Sequence, residues 1–265
     1  MVDDQPQARG ALSGRVAVVV GGGSGIGRTA AKALARQGAR IVVADFDGER
    51  MERTVDEILR LGSADAALAL ATDVRSDSSV RSLASDSIKA MGQVDILVNM
   101  AGVLLRGPLG RIKPGDWKWM LDTNLLGAVR TTMAFLPHLT ERGSGHIINT
   151  VSAGALAPRD PLTIAYDTGE VALASFTKSL ASAVSGTGVN VSLYCTGTAG
   201  PRIGQNTRSR GLGRLLRPTE DLEEGAEPSE QLIDSLVDGL HNPRFLILAD
   251  PNTTVPSIEP ITVAS

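Results

Sequence analysis

The chain is poor in the features that hold small or specialised proteins together. It has one cysteine, Cys195, so no intramolecular disulfide can form, and a lone thiol suits a reducing compartment. Aromatic side chains make up 3% of the residues, so the core must be aliphatic. Three histidines, His138, His146 and His241, lie scattered without the spacing of a metal site and read as structural or surface residues. There is no basic excess: 26 Lys and Arg stand against 29 Asp and Glu, for a net charge of −3. That excludes the electrostatic footprint of a nucleic-acid binder. No apolar run approaches the ~18–20 residues that span a bilayer. The start, MVDDQPQARGALSG, lacks the basic head and apolar core of a secretory signal. The expectation is a cytoplasmic protein without membrane partners.

What remains is ordinary globular composition, 42% hydrophobic and 21% charged over 265 residues, with 29 glycines. Short apolar runs alternate with helical patterns. Arg15–Val20, Ile41–Ala44, AALALAT, DILVNMAG, HIINTV, VNVSLYC and RFLILA read as about seven buried strands. Helical periodicity fills the gaps, including one long stretch over Pro114–Leu139 and another near Thr163–Val184. Such repetition predicts a single α/β domain over residues 14–250, with a doubly wound parallel sheet covered by helices on both faces. Residues 1–13 read as a flexible tail, 198–228 as a substrate lid and 251–265 as a C-terminal arm.

The strand RVAVVV runs into Gly21-Gly22-Gly23-Ser24-Gly25-Ile26-Gly27 and then a helix. A glycine turn between a strand and a helix N-terminus offers backbone N–H groups and the helix dipole to a phosphate. The next strand ends in Asp45, whose carboxylate can accept hydrogen bonds from adenosine ribose hydroxyls and repel a 2′-phosphate. No Arg or Lys sits in the loop or directly after Asp45, so the residues favour NAD over NADP. Arg28, on the following helix, is the exception.

Several further motifs follow in order: Asp73-Val74, Asn99-Met100-Ala101-Gly102, Asn124 in LDTNLLGAVR, Ser152 in INTVSAG, and Tyr166. Together with GGGSGIG they make the chain resemble the short-chain dehydrogenase/reductase family over about residues 14–250. The resemblance implies a Rossmann-type fold, a nicotinamide cofactor, and hydride transfer between a ketone and a secondary alcohol. It implies that Gly21, Ser24, Gly25, Ile26, Gly27, Asp45, Asp73, Val74, Asn99, Ala101 and Gly102 hold the cofactor. By the same resemblance Tyr166 is the acid/base, Ser152 orients the substrate oxygen, and Asn124 supports a proton relay. A homodimer or homotetramer, packed partly through the helices after Pro114 and Thr163, is also implied.

One position departs from that pattern. The family pairs its tyrosine with a lysine four residues on; here the position holds Glu170. In a helix, residues four apart share a face, so Glu170 should sit beside Tyr166. Unit charges ~5 Å apart at an effective dielectric of ~20 interact by roughly 3 kcal/mol, around two pKa units. An ionised Glu170 therefore pushes the tyrosine pKa up where a lysine would pull it down. Lys178 lies twelve residues beyond Tyr166, ~18 Å along a helix, too far to substitute. Val20, Met100, Thr196-Gly197 and Pro201 also depart from the family's usual residues, so the adenosine half of the site looks intact and the nicotinamide half altered.

Three readings follow: an NAD-dependent oxidoreductase, a non-redox lyase or isomerase on the same fold, and a non-catalytic binding protein. Arg202, Arg208, Arg210, Arg214 and Arg217 either grip an anionic substrate or a CoA-like handle, or are solvated and balanced by Glu220, Asp221, Glu223, Glu224 and Glu227. Leu212, Leu215 and Leu216 hint at a hydrophobic ligand. Cys195 reads as a small core residue. Trp117 and Trp119, two residues apart on a helix, are expected to face opposite ways, with one packed inside.

Overall fold

The structure, a computed structural model, describes residues 10–61, 67–157, 160–197, 207–212 and 230–255. β1 (Val16–Val20), β2 (Arg40–Asp45), β3 (Ala67–Ala71), β4 (Ile96–Asn99), β6 (Gly145–Ser152), β7 (Val189–Thr196) and β9 (Leu246–Leu248) form one sheet. Its order is β3-β2-β1-β4-β6-β7-β9, and every pairing is parallel. This is the doubly wound α/β sheet that the strand–helix repetition predicts.

Alternation along the strands divides the core in two. Ala17 and Val19 of β1, with Ile41 and Val43 of β2, pack beneath α1 (Gly25–Arg36), α2 (Gly48–Leu59) and α8 (Glu230–His241). Val16, Val18 and Val20, with Val42 and Leu97, face α3 (Asp77–Met91), α5 (Leu126–Glu141) and α7 (Ile164–Ala183). Side chains of successive strand residues point to opposite faces, so the VAVVV of β1 serves both cores without a polar position. The core is aliphatic as the composition requires, with Phe135 and Tyr194 its largest fully buried members.

The chain departs from the sequence expectation in several places. The stretch Pro114–Leu139 is two helices, α4 (Pro114–Asn124) and α5, with Leu125 between them. Asn124 ends α4, where its side chain ties to the backbone of Val103 instead of facing solvent. Two further strands, β5 (Leu104–Arg106) and β8 (Thr207–Ser209), pair in parallel apart from the main sheet. β8 lies inside the segment read as an irregular lid; the rest of 198–228, Leu215 and Leu216 included, falls outside the described residues apart from 207–212. Residues 10–13, read as part of a flexible tail, pack onto the domain instead: Leu12 is buried in the core and its N–H donates to Gln37 O at 2.9 Å. Residues 1–9 and 256–265 lie outside the description. A short helix, α6 (Ala153–Leu156), follows β6.

Among the described residues no group of side chains has the makings of a metal site, and no helix is long and apolar enough to cross a membrane. His138 accepts from Val94 N–H, and His146 bonds to Ser192 Oγ at 2.8 Å. Burial pushes His146 down to about 4, so it stays neutral and structural.

Candidate active site

The strand order reverses between β1 and β4, and a crevice opens at the carboxyl ends of these two strands. Ligands of open α/β sheets bind at such a switch point. A cavity of about 320 Å³ runs there, from the glycine loop and Asp45 at one end to Ser152, Tyr166 and Glu170 at the other.

At the first end, Gly21 and Gly22 N–H both donate to Ala44 O, and Gly23 N–H donates to Asp45 Oδ2 at 2.9 Å. The loop is thus fastened to the end of β2. Gly21 has φ of +83°, and a Cβ there would lie 2.6 Å from Ala101 N. A Cβ on Gly27 would lie 2.1 Å from Gly21 O, so only glycine lets α1 approach the loop. Ser24 caps α1 without a side-chain hydrogen bond, and the first turn carries no acid. The helix N-terminus, at Gly25, Ile26 and Gly27, therefore lines the crevice with uncompensated positive dipole, the complement of a phosphate.

Asp45 is buried and lines the crevice; besides Gly23, it accepts from Asp47 N–H. Each carboxylate oxygen has a second lone pair, which leaves room for ribose hydroxyls. Arg28 does not approach: its guanidinium forks onto Glu57, which also holds Lys32. Those two cations hold the Glu57 carboxyl below its usual range against the opposing effect of burial, which is the largest single influence.

Asp73 and Val74 also line this end. The Asp73 carboxylate is paired with Arg75 at 2.8 Å, which lowers its pKa. Ala101 and Gly102 reach the crevice, but Asn99 lies beneath it. Asn99 donates to Asn149 Oδ1 at 2.8 Å and accepts from Thr131 Oγ1 at 2.7 Å, while Asn149 donates to Thr177. That buried chain ties β4 and β6 to α5 and α7, and it spends Asn99 on the scaffold rather than on the crevice wall.

The other end is built on α4, β6 and α7. Glu170 is 5% exposed, yet its carboxylate borders the cavity. Its Oε2 accepts from Ser152 N–H at 2.8 Å, and its Oε1 accepts from Asn124 Nδ2 at 3.4 Å. Tyr166 sits one helical turn before Glu170, close enough to the Glu170 and Ser152 side chains for both to shift its pKa. The four residues singled out by the sequence therefore converge on one point. Burial raises Glu170 from 4.5 to about 7 against the pull of Ser152, Asn124 and Tyr166. Burial, and after it the Glu170 charge, raises Tyr166 well above 10. Neither the phenol nor the carboxyl therefore ionises cheaply in this site. No lysine lines the cavity among the described residues. Lys118 is exposed and reaches Asp122 at 3.8 Å instead.

The structure adds residues that the sequence reading passed over. Phe46, exposed beside Asp45, offers a flat apolar face at the cofactor end. Thr150 lines the crevice with a buried Oγ that has no partner. Trp119 borders the substrate end, and both it and Trp117 pack on the cluster of Leu105, Met120 and Ala165. The expectation that the two indoles part company fails because β5 and the segment around Ile112 put apolar surface on two sides of α4. An aromatic directly after the acid at Asp45 was a visible signal for Phe46; Thr150 and Trp119 had none.

The family described as short chain dehydrogenase matches residues 15–211. A short chain dehydrogenase of Pseudocercospora fijiensis is 37% identical over 184 residues, 68% of this chain and 58% of that protein, so the chain spans less than two thirds of that relative. A (2S)-[(R)-hydroxy(phenyl)methyl]succinyl-CoA dehydrogenase subunit of Thauera aromatica is 31% identical, covering 70% of this chain and 73% of its own. Among solved structures, a short chain dehydrogenase/reductase of Burkholderia phymatum in complex with NAD superposes with a TM-score of 0.77 at 28% identity, over 91% of this chain and 90% of the other. A metagenomic short-chain oxidoreductase in complex with NADP gives 0.66 at 33% identity, over 70% and 83%. A matching family over most of the chain, on a seven-stranded parallel sheet with a glycine loop at its switch point, places this protein in the short-chain dehydrogenase/reductase family.

Proposed function

We propose that the chain is an NAD-dependent oxidoreductase that interconverts a ketone and a secondary alcohol. The observation that carries this reading is the single crevice joining a phosphate-type glycine loop and Asp45 to the cluster of Ser152, Tyr166, Asn124 and Glu170. The α1 N-terminus would receive the pyrophosphate, Asp45 the adenosine ribose, and Phe46, Asp73 and Val74 the adenine. Arg28 is committed to Glu57 and an Asp lines the crevice where a 2′-phosphate would lie, which favours NAD over a 2′-phosphorylated cofactor. A bound nicotinamide supplies a hydride donor or acceptor next to the substrate carbon.

The chain's own residues move the proton. Ser152 Oγ and the Tyr166 hydroxyl would hold the substrate oxygen. In reduction the Tyr166 O–H donates to the developing alkoxide, and protonated Glu170 restores that proton. In oxidation the substrate hydroxyl gives its proton to Tyr166 as Tyr166 passes its own to ionised Glu170. Glu170 thereby stands in the family's lysine position as a proton holder rather than as a cation, and Asn124 positions its Oε1. A homodimer or homotetramer belongs to the same reading: Leu126 and Met133 of α5, with Ile164 and Val171 of α7, are exposed apolar side chains that a second copy would cover.

A second reading is favoured by the carboxyl–phenol pair itself. Buried Glu170 beside Tyr166, with no lysine at the described cavity wall, suits proton transfer without net redox chemistry. The first experiment is therefore titration of the purified protein with NADH and with NADPH, followed by nicotinamide fluorescence. Tight NADH binding with weak NADPH binding is expected; binding of neither removes the oxidoreductase reading. Redox turnover on a panel of ketones then separates the two enzymes, and absence of any turnover leaves a binding protein.

A further inference from the structure

Two arginines on β8 meet α4 in unequal ways. Arg208 pairs in register with Leu105, and Arg210 N–H extends the ladder to Arg106 O at 2.9 Å. Residues two apart on a strand share a face, as residues three apart on a helix do. Arg208 and Arg210 accordingly face Trp119 and Asp116, one turn apart on α4. Arg210 forks onto Asp116, Nε to Oδ2 at 2.9 Å and a terminal nitrogen to Oδ1 at 2.5 Å. That pairing holds the buried Asp116 carboxyl down to about 2 and occupies both of its oxygens. Arg208 stacks its guanidinium over the Trp119 ring, 3.8 Å from the centroid. Arg208 is exposed and makes no close ion pair among the described residues; its charge acts on Asp116 only at longer range, after that of Arg210.

Trp119 is also a wall of the crevice, at the end that holds Ser152 and Tyr166. The only cation lining that crevice among the described residues is Arg75, which belongs to the opposite end and is paired with Asp73. The crevice otherwise carries the acids Asp45, Asp73 and Glu170. An arginine with no close carboxylate among the described residues, stacked on the indole that walls such a site and set on a strand pinned by its neighbour's ion pair, is a fork suited to a planar anion. Stacking on the indole fixes the plane of the guanidinium and leaves its N–H edges free for a ligand.

We infer that Arg208, seated on Trp119, is the recognition point for a carboxylate carried by the substrate, so that the reacting molecule is a keto acid or the corresponding hydroxy acid. This rests on the reading of the crevice as a carbonyl/alcohol site, and it makes the acidic group, rather than an apolar tail, the determinant of specificity. The sequence left the arginines of the lid open between substrate grip and solvated balance. The structure separates the two it describes: Arg210 is tied to Asp116, and Arg208 stacks on Trp119 with no close ion pair among the described residues; Arg202, Arg214 and Arg217 lie outside them.

The test is direct binding by calorimetry, with and without NADH, of the keto acids CH₃CO(CH₂)ₙCOO⁻ with n from 2 to 5, each against its methyl ester. At least one acid is expected to bind wild type about tenfold more tightly than its ester. Arg208→Gln should erase that preference, and Arg208→Lys should keep part of it, since charge survives and the fork does not. Thermal unfolding of both variants checks that the fold is intact. Equal binding of acid and ester by wild type at every length overturns the inference, as it would if a carboxylate of the chain already filled Arg208. A preference that persists in Arg208→Gln overturns it too. NADH titration of the same proteins reads the cofactor separately. Loss of the acid preference with NADH binding unchanged is the expected pattern. Failure of NADH to bind wild type strikes the oxidoreductase reading instead, and the cofactor-free binding comparison still judges Arg208.

Discussion

The two ends of the crevice are held together by different physics. At the glycine-loop end, backbone does the binding: N–H groups of Gly21, Gly22 and Gly23 are spent on β2, and those opening α1 face the cavity. Most charges there lie in ion pairs, Glu57 with Arg28 and Lys32 and Asp73 with Arg75, while Asp45 accepts from backbone N–H groups. At the Tyr166 end side chains form the wall, and among the described residues the buried Glu170 carboxyl has no cation beside it; it accepts from one backbone N–H and one amide, next to the Tyr166 phenol. The first arrangement is insensitive to pH and intolerant of added volume. The second tolerates similar shapes and responds to every proton.

The largest effect should come from breaking the first end. Gly27→Ala places a methyl 2.1 Å from Gly21 O, where no side chain can yield because the obstacle is backbone. Destabilisation of about 3 kcal/mol or more, with loss of NADH binding, is expected in denaturant unfolding and fluorescence titration. An unchanged midpoint would show that the loop gives way more readily than its contacts imply.

The second end should break by charge. With Glu170 at about 7, the oxidation rate should rise with pH through that value as the proton acceptor ionises. Glu170→Gln should lower oxidation about 100-fold and flatten that rise. Glu170→Lys should raise oxidation more than reduction, because a cation lowers the Tyr166 pKa; an equal gain in both directions would contradict the electrostatic account. Stability changes in the same substitution. The folded pKa of Glu170 lies above its unfolded value of 4.5, so the folded state holds the extra proton between the two. Wild type should therefore lose stability as pH rises from 4.5 to about 7, by ~3 kcal/mol, a loss that Glu170→Gln lacks. Unfolding curves at pH 5 and pH 8 for both proteins measure it.

A smaller effect sharpens the comparison. Asp45→Asn should weaken NADH binding about tenfold and narrow the gap to NADPH, since it removes both the ribose acceptor charge and the repulsion of a 2′-phosphate. The smallest belongs to Lys118→Ala. Its side chain is 80% exposed and its ion pair with Asp122 is loose, so turnover and stability should stay within error. A collapse of activity there would reveal a cation that acts on Tyr166 from outside the described cavity wall.

The sequence carried the architecture because strands buried on both faces must be apolar throughout, and glycines at a βα turn leave a legible gap in the pattern. It also placed Glu170 beside Tyr166 through helical spacing alone. It could not show that Asn99 would be drawn under the crevice, since that depends on Asn149, Thr131 and Thr177 arriving from three other elements. Nor could it show that Leu12 is pinned to Gln37, or that Trp117 and Trp119 both find apolar cover.

Local rules, periodicity and turn chemistry, thus fixed the sheet, the loop and the i,i+4 pair, because those interactions close within a few residues of chain. Tertiary structure alone decided the protonation of Glu170 and the different fates of Arg208 and Arg210. Desolvation and ion pairing depend on which distant groups come to rest nearby: Asp116 on α4 gives both carboxylate oxygens to Arg210, while Arg208 comes to rest on the Trp119 indole.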